Sequence, residues 1–150
     1  AHESKENIMA REWHGRAKQF QTILSNMKPY SEQKTTPLIV SGDFNSSSHL
    51  DWGYDTKDDS EHKGYVIEWL TSKLMEKANF IDSYREIHPD VKKYPCLTWS
   101  TMAKNELQYR IDFIYYKGSN IKAIKSEMID KHPVRFPSDH AAVVTTFNLK

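Results

Sequence analysis

The chain has 150 residues, 27% of them charged, and its formal net charge is only +1. That length allows one domain with a substantial core, and the near-neutral charge excludes a global electrostatic field directed at nucleic acid or an anionic membrane. The single cysteine excludes an internal disulfide framework and a cysteine-rich zinc site, and no apolar run approaches the length of a membrane span.

Two helices and one strand are predicted in the first half of the chain. Apolar residues recur every three or four positions over residues 5–28, which predicts a helix that Pro29 ends. Residues 38–40 are apolar without a break, the pattern of a strand buried on both faces. A polar loop occupies residues 46–64, and a second apolar stripe predicts a helix over residues 65–78.

The second half of the chain has the pattern of strands joined by polar loops. Strands are predicted at residues 97–100, 110–116 and 141–149, and another within residues 121–129. Residues 80–84 fit either a short strand or an irregular link. Two helices followed by strands indicate an α/β sandwich.

The first candidate site residues follow the strand at residues 38–40. Asp43 and Asn45 flank Phe44, and ligands of open α/β folds bind at the carboxyl ends of strands. An acid and an amide two residues apart can face one pocket while Phe44 anchors in the core. The alternative is an ordinary turn rich in Asp and Asn.

Asp112 lies inside the strongest predicted strand. Alternation places Asp112 on the face of Ile114 and opposite Phe113. A carboxylate within such a strand is costly unless it is paired. Asp112 therefore either forms a salt bridge with Arg110, lies at a strand edge, or points into a pocket where it holds a histidine or a metal.

Asp139 and His140 come just before the last predicted strand. Carboxylate oxygen suits Mg²⁺ or Mn²⁺, and imidazole suits acid–base work or contact with a phosphoryl oxygen. On their own the two residues are as typical of a loop cap. His49, Trp52 and Trp99 are further pocket candidates, for each of which simple packing is an equal interpretation.

Three motifs in the order SGDFN, RIDFIYY and PSDHAAV resemble the endonuclease/exonuclease/phosphatase superfamily, and the LTWS strand fits as well. Its members include deoxyribonuclease I-like nucleases, abasic-site endonucleases, sphingomyelinases and inositol-polyphosphate phosphatases. The resemblance implies a four-layer α/β sandwich, with two facing mixed β-sheets flanked by helices. It covers only about the second half of that fold. Residues 1–150 are therefore expected to be the C-terminal portion of one such domain, with the N-terminal half as a missing partner.

The resemblance also implies roles for the matching residues. Asp43 would activate the attacking water or hold a metal, and Asn45 would bind the scissile phosphate. Asp112 would orient His140, which would act as a base or stabilise the phosphoryl transition state. Asp139 would be a metal-binding acid.

His2 occupies the place of a family histidine that contacts the phosphate, although a frayed terminal residue is an equal interpretation. The main metal-binding glutamate of the family has no counterpart before residue 37, so this chain alone is expected to hold an incomplete metal site.

The resemblance implies Mg²⁺- or Mn²⁺-dependent hydrolysis of a phosphoester. The substrate would be a nucleic acid, a phospholipid or a small phosphate ester. A nuclease should carry a basic strip, for which the candidates are Lys122, Lys125, Lys131 and Arg135. A phosphate-binding module and an inactive fragment of the same fold are the alternatives to an enzyme. A secreted or periplasmic location is a further expectation from the resemblance.

Overall fold

A computed structural model of the chain describes residues 3–33, 35–59, 62–103 and 107–150. Its N-terminal helical region consists of α1 (Lys5–Glu12), a π-helical turn (Trp13–Ala17) and α2 (Lys18–Ser31). Ser4 caps α1, because its side chain accepts a hydrogen bond from the backbone N–H of Asn7. The helix predicted over residues 5–28 is therefore confirmed, with a π-helical turn that its periodicity does not indicate.

The prediction that Pro29 ends this helix is wrong. Pro29 lies inside the last turn of α2, where it removes only its own N–H from the helical ladder. The backbone N–H of Glu32 still donates to the carbonyl oxygen of Lys28 at 3.2 Å, so the helix closes one turn later.

The described residues form two short helices and two antiparallel sheets after α2. The helices are α3 (Leu70–Lys77) and α4 (Ser83–Ile87), and the strands are β1 (Leu38–Asp43), β2 (Ile81–Asp82), β3 (Asp112–Lys117), β4 (Ile121–Ile129) and β5 (Ala142–Leu149). One sheet has the order β1-β3-β2, and the other pairs β4 with β5. The α/β class is confirmed, the sheets within the described residues are antiparallel rather than mixed, and the four-layer sandwich stays a prediction.

Strand β3 separates two hydrophobic clusters, as the alternation of its residues predicts. One face of β3 contributes Phe113 and Tyr115 to a cluster with residues of α2, α3, the segment after β1 and the link between α3 and β2, namely Phe20, Met75, Phe44 and Phe80. The other face presents Tyr116, whose ring lies 5.1 Å from that of Phe147 on β5. Tyr116 therefore packs the first sheet against the second.

The prediction that β1 is buried on both faces is wrong. Leu38 and Val40 pack against the cluster beneath α2, but Ile39 is 52% exposed. Strand β1 is an edge strand, and the described residues leave the face that carries Ile39 uncovered. One face of this strand is thus covered, and the other is not.

Three other predicted elements have different bounds or form. The helix predicted from residue 65 begins only at Leu70, and residues 80–84 contain both β2 and the start of α4. Residues 97–100 do not form a strand, but Trp99 makes isolated bridges to Tyr109 and His140. No helix in the described ranges has the combination of length and apolarity needed to cross a bilayer.

A buried ionic network holds the polar segments together. Asp51 lies 2.6 Å from Nε of Arg85 and 2.7 Å from Nε of Arg110, and Nη2 of Arg110 lies 2.7 Å from Oδ2 of Asp82. All four residues are buried. The network joins the loop after β1 to the β2–α4 junction and to the segment that leads into β3.

We expect Asp51→Asn to lower the free energy of unfolding by about 3–5 kcal/mol. The substitution leaves Asp82 as the only carboxylate of the network to balance the two buried guanidinium groups. Urea denaturation measures this loss. The matched control is Glu32→Gln, which breaks a 3.9 Å pair with Lys28 whose side chains are both mostly exposed, and which should cost less than about 1 kcal/mol. Equal losses for the two variants would contradict the assigned role of the network.

Candidate active site

The ends of β1 and β3 place two carboxylates side by side. Asp43 and Asp112 are direct partners in the antiparallel register, so their side chains lie on the same face of the sheet. The backbone N–H of Phe44 donates to the carbonyl oxygen of Ile111 at 2.8 Å, and the Phe44 ring is buried in the core. The predicted anchoring by Phe44 therefore holds the end of β1 against β3.

Asn45 binds both oxygens of the first carboxylate. Its backbone N–H donates to Oδ1 of Asp43 at 2.7 Å, and its side-chain Nδ2 donates to Oδ2 at 2.6 Å. This geometry requires the left-handed backbone of Asn45, whose φ is +47°, a conformation that asparagine tolerates better than most residues. The acid and the amide thus form one rigid unit at the end of β1.

The second carboxylate binds a histidine. Oδ2 of Asp112 lies 2.9 Å from Nδ1 of His140, while Arg110 pairs with Asp51 and Asp82 instead. The choice left open for Asp112 by the sequence is therefore settled in favour of the histidine. Nδ1 carries the proton of this hydrogen bond, which leaves Nε2 as the second ring nitrogen of His140.

Neighbouring groups position this acid–histidine pair. The hydroxyl oxygen of Thr98 accepts hydrogen bonds from the backbone N–H groups of Ile111 and Asp112, both at 3.1 Å. The ring of Trp99 lies 4.7 Å from that of His140, and the backbone N–H of His140 donates to the hydroxyl of Ser138 at 3.1 Å. The imidazole is thus held on one side by a carboxylate and on another by an indole.

The pKa of His140 is raised above its ordinary value. Burial alone would lower the pKa, but the hydrogen bond and charge of Asp112, together with the charges of Asp43 and Asp139, outweigh burial. The site therefore favours the imidazolium form of this histidine.

A metal ion has a suitable donor set in this cluster. Ligand atoms of Asp43, Asp112 and His140 all lie within 4.8 Å of one another, and carboxylate oxygens are the donors that Mg²⁺ and Mn²⁺ prefer. Asp139, the other predicted metal ligand, is exposed and does not belong to this group. Its backbone carbonyl accepts a hydrogen bond from Thr101 at 2.8 Å.

Of the predicted site residues, the structure brings together Asp43, Asn45, Asp112 and His140, and His2 lies outside the described residues. The sequence analysis does not identify one basic residue near this cluster, Arg16. Arg16 in the π-helical turn borders the same two grooves as Asn45. A π-helical turn shifts side chains off the regular helical stripe and often marks functional sites, but hydrophobic periodicity carries no signal for it.

Comparisons with known proteins agree with the motifs. A sequence profile of the Endonuclease/Exonuclease/phosphatase family matches residues 13–140. An uncharacterized protein of Caenorhabditis elegans is 37% identical over 163 aligned positions, which cover 95% of this chain and 51% of that protein. Nocturnin of Rattus norvegicus is 26% identical over 136 positions, which cover 84% of this chain and 28% of nocturnin. The chain thus spans about half or less of the length of these relatives.

We expect Asp112→Asn to lower the pKa of His140, because the amide cannot stabilise the imidazolium as a carboxylate does. An NMR titration of the ring protons measures the change. The raised pKa also stabilises the fold: this contribution is complete below the unfolded-state pKa and is lost as the pH rises through the folded-state pKa. The same His140 pKa in both proteins would contradict the assigned pairing.

Proposed function

This chain belongs to the endonuclease/exonuclease/phosphatase family, and we propose that it supplies the phosphate site of a metal-dependent phosphoester hydrolase. The observation that carries the proposal is the cluster of Asp43, Asn45, Asp112 and His140, in which each carboxylate has its own hydrogen-bond partner. The chain covers only part of its relatives, which supports the expectation that further residues of the site come from the remainder of the domain.

The reaction adds water across the ester bond. The water oxygen bonds to phosphorus, the phosphorus–oxygen ester bond breaks opposite it, and the leaving oxygen departs as the alcohol after it gains a proton from solvent water. Asp43, at the end of β1, accepts the proton of the attacking water. The charged imidazole of His140, favoured by Asp112, donates to a phosphoryl oxygen through Nε2, and the amide of Asn45 holds another oxygen of the phosphate.

Asp43 is the carboxylate best placed to hold Mg²⁺ or Mn²⁺. Asp112 is already bonded to His140, and Asp139 lies apart from the cluster. When bound, such an ion neutralises charge on the phosphate and on the leaving oxygen. Mg²⁺ takes about six oxygen ligands, so water, substrate and the rest of the domain would supply most of them.

Two observations weaken the expectation of a basic strip for nucleic acid. Lys122 pairs with Glu86 at 2.9 Å, and Lys125 pairs with Glu127 at 2.6 Å. These lysines are therefore partly neutralised by acids on the same surface. A small phosphate ester fits this charge distribution better than a long polyanion.

In the complete protein, we expect His140→Ala to reduce phosphoester hydrolysis by about a hundredfold or more, the usual cost of removing one hydrogen-bond donor to the transition state. Steady-state hydrolysis of a chromogenic phosphodiester with Mg²⁺ measures the change. His140 is only partly buried, so circular dichroism should show an intact fold.

The matched control is His132→Ala, an exposed histidine outside the cluster, which should keep its activity. A His140→Ala protein that retains most of its turnover would overturn the role proposed for His140, whereas a wild-type protein without turnover would overturn the enzyme proposal and favour a binding module.

A further inference from the structure

Glu12 is a buried acid that the proposed reaction does not use. Only 5% of its surface is exposed, and it is the last residue of α1, directly before the π-helical turn. A carboxylate is costly to bury unless hydrogen bonds compensate for the lost water. The donors that surround Glu12 therefore indicate what this acid does in the fold.

Three donors converge on one oxygen of this carboxylate. Oε1 of Glu12 accepts hydrogen bonds from the hydroxyl of Ser46 at 2.7 Å, from the backbone N–H of Thr71 at 3.1 Å and from the hydroxyl of Thr71 at 2.5 Å. Hydrogen bonds to a charged acceptor are stronger than those between neutral groups. One oxygen atom of α1 thus ties down both the segment after β1 and the start of α3.

Ser46 is the residue directly after Asn45, so the bond to Glu12 limits where Asn45 lies. Asn45 is exposed, whereas Phe44 before it and Ser46 after it are buried. The left-handed backbone of Asn45, with φ of +47°, is unfavourable unless the surrounding structure holds it. Phe44 supplies that hold on one side, and the Ser46–Glu12 hydrogen bond supplies it on the other.

The two oxygens of the Glu12 carboxylate differ in their surroundings. Every hydrogen bond that the described residues make to this carboxylate goes to Oε1. Glu12 also lines the groove of about 700 Å³ that Asn45 borders. Positioning of Asn45 needs only the acceptor Oε1, whereas direct contact with a ligand would need Oε2 or the negative charge. A glutamine at this position separates the two roles, because it keeps an acceptor and removes the charge.

We propose that Glu12 is a positioning residue, which acts through Ser46 to hold the amide of Asn45 where it meets the phosphate. The proposal rests on the proposed phosphoester hydrolysis for the role of Asn45 itself. The hydrogen bonds that run from Glu12 through Ser46 and from Asn45 to Asp43 carry the positioning argument. An amide displaced by about 1 Å from its productive position costs up to about a hundredfold in rate.

Ser46→Ala and Thr71→Val form a matched pair, because each removes one buried hydroxyl that donates to the same oxygen of Glu12. In the complete protein, we expect Ser46→Ala to lower kcat and kcat/KM together by about tenfold or more, with KM nearly unchanged, since the displaced amide acts in the transition state. Thr71→Val should keep the wild-type kcat. Hydrolysis of a chromogenic phosphodiester with Mg²⁺ measures both constants, and urea denaturation compares the stabilities of the two variants.

Two further variants separate positioning from a direct role of Glu12. Glu12→Gln should keep most of kcat, because its amide oxygen still accepts from Ser46, whereas Glu12→Ala should lose as much as Ser46→Ala. In an Asn45→Ala background, Ser46→Ala should cause no further loss of kcat, because the group that it displaces is already gone.

Equal losses of kcat in Ser46→Ala and Thr71→Val would overturn the proposal in favour of a packing role. A Glu12→Gln protein as slow as Glu12→Ala would overturn it in favour of a role for the charge. If the wild type hydrolyses no phosphoester, the enzyme proposal fails, and the side-chain NH₂ signals of Asn45 in two-dimensional NMR spectra decide the positioning alone. Glu12→Ala should move these signals and Glu12→Gln should leave them nearly in place. Unmoved signals in Glu12→Ala, or in Ser46→Ala if Glu12→Ala fails to fold, would contradict the positioning role.

Discussion

Two carboxylates stand directly opposite each other where β1 pairs with β3, and this arrangement is unfavourable because like charges repel across a strand pair. The structure compensates by giving each acid a different partner. Asn45 covers both oxygens of Asp43, and His140 covers Asp112. The hydrogen bonds of the candidate site thus offset the repulsion between the two carboxylates that the strand register brings together. A hard cation held by Asp43 would relieve that conflict further, because it would offset the negative charge of the two acids.

The segment after β1 is ordered mainly by buried charge. Asp51 in that segment joins the arginines at positions 85 and 110. Glu12, buried in the N-terminal helical region, accepts hydrogen bonds from the hydroxyl of Ser46 at 2.7 Å and from the backbone N–H of Thr71 at 3.1 Å. The contacts of Glu12 hold the segment after β1 and the start of α3 against the N-terminal helical region. Mutations in this network should therefore affect the position of Asn45 as well as stability.

Sequence reasoning predicts best where one periodicity or one motif dominates. The helical stripe over residues 5–28, the alternation in β3 and the residues of the GDFN and SDH motifs are of this kind. Sequence reasoning fails where contacts between residues distant in sequence determine burial or pairing. The exposure of Ile39 depends on what covers β1, and the partners of Arg110 come from residues far away in sequence. The groove that Asn45 and Arg16 border is not predicted either, because part of its lining lies in a polar segment without periodicity. Of the two pocket candidates in that segment, His49 and Trp52, only Trp52 lines the groove.

We infer that Asp43, Asn45, Asp112 and His140 form a site for a divalent cation and a phosphate. Paramagnetic broadening by Mn²⁺, followed in two-dimensional NMR spectra of the complete protein, tests this most directly. We expect substoichiometric Mn²⁺ to broaden the backbone signals of this cluster before any others in the chain. Broadening that begins instead at the acidic stretch of residues 55–59 would contradict it.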